Sequence, residues 1–285
     1  MSQEPRISIV LPTYNRAAAL RLTFPDLLKV HGVSEVIVVD DGSTDETASV
    51  LRETEDSRIR IVRHASRRGQ PAARNIGMEA ATGDWIMYGE DDCFFPPDYA
   101  LALHDDAVRY AADIVSAPWL HVPIEERDRA FEAARTSPVM HFTLDTHPAS
   151  FPAEPLQTPF LQARALINRR VFDRVRFFEG FRGNAYREET DFFVSATRQG
   201  FVCLLSPATA SFQALQWSGG ARAGVLRYEL WTFRNNWLFL RRHGSWLRQH
   251  GYIRSRIGEQ THFTSGRVSR VARGFVRARL RAGAC

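Results

Sequence analysis

The chain has 285 residues, of which 44% are hydrophobic and 11% aromatic, enough apolar material for one large α/β domain or two small ones. No stretch approaches the roughly eighteen consecutive apolar residues of a membrane span, and the N-terminus lacks the charged-then-apolar layout of a secretory signal. The three cysteines, Cys93, Cys203 and Cys285, are odd in number and far apart. They indicate reduced thiols and a cytoplasmic protein rather than a disulfide framework.

The formal net charge of +5 is distributed unevenly along the chain. Residues 221–285 contain fourteen arginines and two glutamates, a net charge of +12, so the first 220 residues carry a net charge of −7. A block this basic can meet nucleic acid, an anionic membrane or an anionic substrate, because charge governs association rather than fold.

The chain begins with alternating strand-like and helical segments. Apolar runs at residues 6–14 (RISIVLPTY) and 35–41 (EVIVVDD) predict buried strands that end in polar loops. Residues 16–30 have helical spacing, with Pro25 expected to kink or divide the helix, and residues 44–53 predict a short capped helix. This βαβα opening predicts a parallel sheet with right-handed crossovers.

The alternation continues as far as residue 117. Residues 58–65 predict a third strand, residues 70–82 an alanine-rich helix and residues 84–92 (DWIMYGEDD) a fourth strand. A helix at residues 98–111 and a strand near residues 113–120 follow.

Polar residues follow three of these strands, at positions 13–15, 40–44 and 90–92. In open parallel sheets, ligands bind beyond the carboxyl ends of the strands. We therefore expect the three polar segments to meet in one crevice.

From residue 118 the sequence changes character. Seven prolines between positions 118 and 159 predict a long lobe or lid with little regular structure. Regular structure is expected to return at residues 162–175, an amphipathic helix follows the loop that begins at residue 180, and residues 201–207 predict another strand. Residues 225–247 are apolar around most of a predicted helix.

Residues 88–98 (YGEDDCFFPPD) raise an electrostatic question, because Glu90, Asp91 and Asp92 follow directly after an apolar strand. Adjacent carboxylates in a partly desolvated place repel one another, and one of them takes up a proton unless a cation or a set of donors keeps them ionised. The segment therefore predicts a positive partner.

Five motifs occur in a fixed order. They are PTYNR at 12–16, VVDDGSTDET at 38–47, GQPAARNIG at 69–77, YGEDDCFFPPD at 88–98 and REETDF at 187–192. In this order and at these separations they resemble the family 2 glycosyltransferases, over about residues 5–205. The resemblance implies the GT-A fold, a Rossmann-like and mostly parallel central sheet flanked by helices. It also implies an inverting transfer from a nucleoside-diphosphate sugar donor to a hydroxyl acceptor, with Mg²⁺ or Mn²⁺ as cofactor.

The resemblance implies a nucleotide-sugar-binding role for the first two loops. Asp41 matches the family's aspartate that receives the nucleobase, with Thr13 and Tyr14 beside it, and Pro12 and Arg16 belong to the same set. A carboxylate can accept the imide N–H of uracil or thymine or the donors of guanine, so the nucleotide stays open. From the residues alone, Asp41 could instead cap a turn or helix, because its segment is rich in capping residues.

The resemblance also implies a metal site. Asp92 matches the family's metal ligand, and Asp91 matches a position that faces the ribose or shares the ion. The chemistry agrees, because Mg²⁺ and Mn²⁺ prefer oxygen ligands and can stabilise the charge that develops on a diphosphate leaving group. Arg74 lies near a predicted helix start, where its guanidinium could meet phosphate or base; a surface arginine is the alternative.

Inverting transfer needs a base on the acceptor side. The family has Glu-Asp there, followed two positions later by Asp, and this chain has Glu188, Glu189, Thr190 and Asp191. Glu189 takes the place of the usual catalytic aspartate and is our favoured base, with Glu188 and Asp191 as alternatives. An acidic first turn stabilised by the helix dipole is the structural alternative.

The basic tail can form an amphipathic helix over residues 267–281. Its predicted faces are Val268, Val271, Phe275 and Ala278 on one side and Arg270, Arg273, Arg277 and Arg281 on the other. This pattern suits an interfacial helix on the anionic inner face of a membrane, and it also suits a docked helix with a solvated face.

The expected organisation is a catalytic domain at residues 1–220 and a helical C-terminal extension at residues 221–285. The nucleotide-sugar half of the domain covers about residues 1–117 and the acceptor half about residues 118–220. The alternative function is a non-catalytic sugar-nucleotide or nucleic-acid-binding protein that uses the basic tail. Nucleic acid is the least favoured partner; its binding would be strongly salt-dependent and confined to the tail.

Overall fold

The structure, a computed structural model, describes residues 5–136, 144, 151–213 and 224–282, with the side chains of Ile124 and of residues 270–282 outside that description. The strands within these ranges are β1 (Ile7–Thr13), β2 (Val33–Asp40), β3 (Ile59–Arg63), β4 (Trp85–Tyr88), β5 (Cys93–Phe94), β6 (Ile114–Ser116), β7 (Trp119–His121), β8 (Leu156–Gln157), β9 (Ala165–Asn168), β10 (Cys203–Leu205) and β11 (Ser211–Gln213). The α-helices are α1 (Ala17–Leu27), α2 (Thr47–Glu53), α3 (Gln70–Ala80), α4 (Tyr99–Arg109), α5 (Arg127–Arg135), α6 (Glu188–Arg198), α7 (Val225–Gln249) and α8 (Arg256–Ala282).

The main sheet has eight strands in the order β3-β2-β1-β4-β9-β6-β10-β8. Strands β1 to β4 pair in parallel, as do β6 and β10. Strand β9 runs antiparallel between β4 and β6, and β8 runs antiparallel to β10. This mostly parallel sheet flanked by helices confirms the predicted α/β architecture and the predicted βαβα opening.

The sheet separates two hydrophobic layers. Side chains of β1 alternate between them: Ile7, Ile9 and Leu11 pack with α1, α2 and α4, whereas Val10 packs with α3, α6 and α7. A strand covered on both faces needs apolar residues at successive positions, which explains the unbroken apolar runs of β1 and β2. Both strands are buried almost throughout and form the rigid base from which the polar loops project.

A small second sheet supports the acidic segment. It has the order β5-β11-β7, with β11 antiparallel to β5 and parallel to β7. Strand β5 begins directly after Asp92, and its Phe94 packs with Leu120, Phe151 and Phe212 in a separate apolar cluster. The carboxylates at positions 90–92 are therefore fixed on both sides by sheet pairing.

Helix α7 belongs to the hydrophobic core beside the main sheet. Phe239, Leu240 and Leu247 pack in the same cluster as Val10 of β1. The sequence predicts a helix that is apolar around most of its surface, and its buried face also carries polar residues, among them Asn235 and Asn236. No helix in the part of the chain that the structure describes combines the length and hydropathy needed to cross a membrane.

Three local predictions have different outcomes. Helix α1 runs through Pro25 undivided and ends two residues later. The proline-rich segment contains β7, α5 and β8, so regular structure extends further than predicted, while residues 137–143 and 145–150 lie outside the described part. Residues 267–281 are helical within α8, but the predicted faces of this helix fall almost wholly outside the described side chains.

Candidate functional site

A cavity of about 230 Å³ opens at the carboxyl ends of β1, β2 and β4. The three polar segments predicted to meet in one crevice all contribute to it. Every residue assigned from sequence to donor or metal binding lines this cavity, with the exception of Arg74. These residues are Pro12, Thr13, Tyr14, Arg16, Asp41, Asp91 and Asp92.

The loop after β1 forms one wall of this first cavity. The Thr13 hydroxyl donates a 2.8 Å hydrogen bond to Oδ2 of Asp91, which ties the end of β1 to the acidic segment. The guanidinium carbon of Arg67 lies 4.5 Å from the centroid of the Tyr14 ring. This cation–π contact holds Arg67 beside Tyr14, and both residues line the cavity. Arg67 is not among the site residues predicted from the sequence.

The carboxylate of Asp41 is held by the loop before α3. Its Oδ1 accepts a hydrogen bond from the backbone N–H of Arg68, and its Oδ2 accepts one from Gly69, both at 2.8 Å. Nδ1 of His64 lies 2.8 Å from Oδ1. Since these contacts fix both oxygens, Asp41 presents a preoriented acceptor to the cavity.

Asp41 does not cap α2. The N-cap residue of α2 is Glu46, which makes no side-chain capping bond, and Oδ1 of the preceding Asp45 accepts from the backbone N–H of Thr47 at 3.0 Å. The turn after β2 is held by Asp40, whose Oδ1 accepts from the backbone N–H of Ser43 at 2.8 Å. Asp41 instead binds the backbone of the loop before α3.

His64 is a residue of the site that sequence reasoning missed. Its side chain is 9% exposed, and its Nε2 has no hydrogen-bond partner among the described residues. The available signal was its position directly after β3, at the sheet edge where the other polar segments meet. Through Nδ1 it helps to fix the orientation of Asp41.

Asp91 and Asp92 both lie near the guanidinium group of Arg16. Nε of Arg16 lies 3.7 Å from Oδ1 of Asp91, and its Nη2 lies 3.6 Å from Oδ2 of Asp92. The side-chain amide of Gln213 donates to the same Asp92 oxygen at 3.1 Å. The positive partner predicted for the acidic segment is thus supplied in part by Arg16.

This corner of the cavity also suits a hard divalent cation. Ligand atoms of Glu90, Asp92 and Cys93 lie within 4.8 Å of one another. Burial raises the pKa of the Cys93 thiol, and the neighbouring Asp92 and Asp91 raise it further, so this sulfur stays protonated. Since Mg²⁺ and Mn²⁺ take oxygen ligands, the two aspartates on the cavity wall fit the ion better than the thiol does.

Glu90 lies between two buried arginines, and its own side chain is 20% exposed. Its carboxylate is hydrogen-bonded to Nη1 of Arg164 and lies 3.6 Å from Nη2 of Arg74. Arg164 precedes β9, is 4% exposed and donates from Nε to the hydroxyl of Ser211 at 2.9 Å. Burial lowers the pKa of Arg164 to about 9, although the negative charge of Glu189 opposes that shift.

Arg74 lies beneath the cavity and not in its wall. Its side chain is fully buried, with its guanidinium carbon 5.3 Å and 5.2 Å from the ring centroids of Tyr88 and Phe177. Its Nε lies 3.4 Å from Oε1 of Glu188. The expectation that Arg74 reaches a phosphate or a base is therefore corrected, because α3 directs this side chain to the carboxylates of Glu90 and Glu188.

Glu188 is buried at the first residue of α6, with its side chain 2% exposed. Burial raises its pKa to about 8; the charge of Arg74 lowers it, and the charges of Glu189 and Asp191 raise it. Its Oε2 has no hydrogen-bond partner among the described residues. At neutral pH this carboxyl is protonated, so it is a poor candidate for the base.

A second cavity, of about 320 Å³, adjoins the first. Five residues line both cavities: Gln70, Glu90, Asn184, Gln213 and Tyr228. The first turn of α6 forms one wall of the second cavity, and there Glu189 is partly exposed, unlike the buried Glu188. Of the three carboxylates proposed as the base, Glu189 alone combines a place on this wall with exposure.

Asp191 points away from both cavities and into the contact with α7. It is fully buried, and its Oδ1 lies 2.6 Å from Nε of Arg242 and 2.7 Å from Nε2 of His243. The prediction that Asp191 is an alternative base is therefore corrected. Helical periodicity explains the placement, because a side chain three positions after Glu188 faces the core on the same side.

Helix α7 also holds the loop that precedes α6. The side-chain amide of Asn184 donates to the Thr232 hydroxyl at 2.6 Å, and that of Asn235 donates to the carbonyl of Arg182 at 2.8 Å. Arg187, at φ 73°, donates from Nε to Oδ1 of Asn236 at 3.0 Å. No local sequence pattern predicts these contacts, which position the wall that carries Glu189.

The sequence was compared with known families and proteins. Residues 8–182 match the profile described as Glycosyl transferase family 2. A succinoglycan biosynthesis protein, ExoO, of Rhizobium meliloti is 28% identical over 229 residues, which cover 79% of this chain and 64% of that protein. An uncharacterized glycosyltransferase of Haemophilus influenzae is 35% identical over 97 residues, which cover 33% of this chain and 39% of that protein. The chain thus spans less than two thirds of the length of these two relatives.

Solved structures show the same fold. The mannosyltransferase PcManGT from Pyrobaculum calidifontis, in complex with GDP-Man and Mn²⁺, superposes with a TM-score of 0.58 at 20% identity, over 87% of this chain and 65% of that one. TarS 1-349 of S. aureus, in complex with UDP-GlcNAc, gives a TM-score of 0.57 at 16% identity, over 87% of this chain and 75% of that one.

Proposed function

Because the chain belongs to glycosyl transferase family 2, we propose that this glycosyltransferase is metal-dependent and inverting, and that it moves a sugar from a nucleoside-diphosphate sugar to an acceptor hydroxyl. The observation that carries the proposal is the pair of adjoining cavities. The first has Asp91 and Asp92 on its wall, and the second has Glu189. A leaving group held at the first and a hydroxyl held at the second would meet where the two cavities join, which suits a direct displacement.

The donor nucleotide is assigned to the first cavity. Asp41 offers a fixed carboxylate to a base N–H, and Thr13 and Tyr14 lie beside it on the wall. Arg16 and Arg67 supply positive charge near the expected diphosphate. Two proteins of similar fold bind GDP-Man and UDP-GlcNAc, which supports a nucleoside-diphosphate sugar here without choosing between the nucleotides.

Asp92 would hold the divalent metal, with Asp91 sharing the ion or facing the ribose. When bound, Mg²⁺ or Mn²⁺ would supply Lewis-acid stabilisation of the departing diphosphate. Arg16 lies within 4 Å of both carboxylates and must move or share them when that charge arrives. The complex of a related fold with Mn²⁺ supports metal use.

Glu189 is our candidate for the base. It lies on the acceptor side of the shared wall and is partly exposed, so it can reach an incoming hydroxyl. Arg164 lines the same cavity and places a positive charge near this carboxylate. Glu188 is buried and protonated at neutral pH, and Asp191 is engaged by Arg242 and His243, which leaves Glu189 as the base of choice.

The C-terminal extension is assigned to a membrane surface. We propose that residues 267–281 of α8 lie on an anionic membrane at its inner face, supported by their helical form and by the net charge of +12 over residues 221–285. Cosedimentation with phosphatidylglycerol vesicles but not with phosphatidylcholine vesicles is the expected result. Equal binding to both would contradict the assignment.

The function is tested by release of nucleoside diphosphate from a panel of UDP-, GDP- and dTDP-sugars with Mn²⁺ or Mg²⁺. We expect release from at least one donor, and loss of metal-dependent release in Asp92→Asn. For Glu189→Gln we expect a fall in turnover of about 10²–10⁴-fold with donor affinity nearly unchanged, because only proton transfer is removed.

Two exposed residues provide matched controls. Asp105→Asn on α4 and Glu79→Gln on α3 remove a charge far from both cavities and should leave turnover unchanged. Release that persists in Asp92→Asn at saturating metal, or full turnover in Glu189→Gln, would refute the corresponding role. A panel in which no donor is bound or cleaved would refute the function as a whole.

A further inference from the structure

The second cavity has an aromatic wall that the steps proposed above do not use. Trp119, Tyr186 and Tyr228 line it. The three residues come from β7, from the loop before α6 and from α7, so three separate parts of the chain bring an aromatic ring to one place. Neither metal binding nor removal of a proton by Glu189 calls for such a wall.

Two of these rings are held in place by contacts with neighbouring side chains. The guanidinium carbon of Arg164 lies 4.8 Å from the centroid of the Trp119 ring, and Arg164 is itself fixed by Ser211 and Glu90. The Tyr186 ring lies 5.5 Å from the ring of Phe263. Rings that are already ordered lose little conformational entropy when a ligand stacks on them.

Neutral hydrogen-bonding groups lie beside the rings. The side-chain amides of Gln70 and Gln162 line the cavity and have no hydrogen-bond partner among the described residues. An amide offers both donors and an acceptor, and so it can satisfy a ligand hydroxyl in either sense.

The cationic side chains of this wall are already engaged. Nη1 of Arg164 is hydrogen-bonded to Glu90. Nε of Arg187 donates to Asn236, and its guanidinium carbon lies 5.1 Å from the Tyr186 ring. The groups that this cavity offers to a ligand are therefore mainly aromatic faces and amides. Its cations are not arranged as a site for a phosphate or a carboxylate.

We propose that Trp119 is the platform of an acceptor subsite for a neutral pyranose ring. One face of a pyranose is a row of C–H groups that stacks on an aromatic ring, and its rim carries hydroxyls that amides can bind. A sugar stacked on Trp119 would share the cavity with Glu189, which is the group assigned to deprotonate one of its hydroxyls.

The proposal rests on the proposed function and makes it more specific. If the acceptor hydroxyl belongs to a sugar ring, the product has a new glycosidic bond between two sugars. The enzyme then extends a sugar that a different reaction must supply.

The test measures saccharide binding to the full chain in the presence of Mn²⁺ and UDP, and again with GDP. The probes are methyl glycosides and disaccharides of glucose, galactose, mannose and N-acetylglucosamine, followed by saturation-transfer NMR. We expect saturable binding of at least one probe, binding weakened about tenfold or more in Trp119→Ala, and binding largely retained in Trp119→Phe. Trp237→Ala, at an exposed tryptophan outside both cavities, should bind as the parent does.

Several results would overturn the proposal. They are the absence of binding by every saccharide probe, equal binding by the parent and Trp119→Ala, and binding of a serine-containing peptide or inorganic phosphate in place of the saccharides. Nucleotide binding is measured in the same samples, so the two failures are distinguishable. Nucleotide bound without any saccharide removes the subsite and leaves the function. Saccharide binding that depends on Trp119 in samples that bind no nucleotide supports the subsite and counts against the donor assignment.

Discussion

The buried carboxyl of Glu188 leads to a prediction about how stability depends on pH. Replacing Glu188 with Gln keeps the size and shape of the protonated side chain and removes its titration. The parent residue is 2% exposed and contacts Arg74, and burial raises its pKa to about 8 from an ordinary value of 4.5. In the unfolded chain the same carboxyl ionises near its ordinary value, so folding above pH 4.5 must take up a proton.

The direction and magnitude of this pH dependence of stability follow from the folded and unfolded pKa values of Glu188. Between pH 4.5 and about 8 the folded state binds more protons than the unfolded state, so the free energy of unfolding falls as the pH rises. At pH 7 the loss due to this one group amounts to about 3 kcal/mol relative to pH 4, and it levels off above the folded pKa. Glu35, whose pKa is lowered to about 2, acts with the opposite sign and below this window.

The assay is urea unfolding, followed by tryptophan fluorescence, at several values between pH 5 and pH 8. For Glu188→Gln we expect a nearly flat midpoint over this range, whereas the parent midpoint should fall by about 1 M urea. Glu79→Gln on α3 removes an exposed carboxylate that does not act on Glu188 and should keep the slope of the parent. Parallel curves for the parent and Glu188→Gln would refute the claim that the Glu188 carboxyl is held protonated.

Two further predictions concern stability, one at the contact between α6 and α7 and one at the contact between α3 and β1. Asp191→Asn leaves Arg242 and His243 without their buried counter-charge and should lower the free energy of unfolding in urea by about 3–5 kcal/mol. A loss of stability below about 1 kcal/mol would contradict this anchoring role, and so would a turnover defect without a stability defect. Gly77→Ala places a methyl group against Val10 where α3 approaches β1 and should cost about 1–3 kcal/mol. Gly266→Ala, with open space around it on α8, is the control and should not destabilise the fold.

The first half of the fold was predictable from the sequence, because its signals are local. The apolar runs of β1 and β2 have the unbroken pattern of strands covered on both faces, and polar residues follow each of them. Once the sheet is parallel, those ends must share an edge, which brings Asp41 and the aspartates at 91–92 together. Local pattern and a topological rule were sufficient for the donor side of the site.

The acceptor side could not be predicted in the same way, because its contacts join distant parts of the chain. Asn184 is held by Thr232, and Trp119 is covered by Arg164, in each case across more than forty positions. Neither residue belongs to a periodic pattern, and neither an Asn in a loop nor a Trp in a three-residue strand has a preferred partner in sequence. The antiparallel strand β9, which brings Arg164 beside the acidic segment, was likewise expected only as regular structure of unspecified kind.

The charge of the acidic segment is balanced differently at each of its three positions. Glu90 is satisfied by Arg164 and Arg74, which are buried and have no path to leave, so its partners are permanent. Asp91 and Asp92 instead share Arg16 at 3.6–3.7 Å, longer than a well-formed ion pair. Arg16 lies with both aspartates on the wall of the first cavity, whereas Arg74 and Arg164 are buried. Because removing a buried cation from its partner costs more than displacing one on a cavity wall, this difference supports the proposal that the two aspartates, and not Glu90, meet an incoming positive charge.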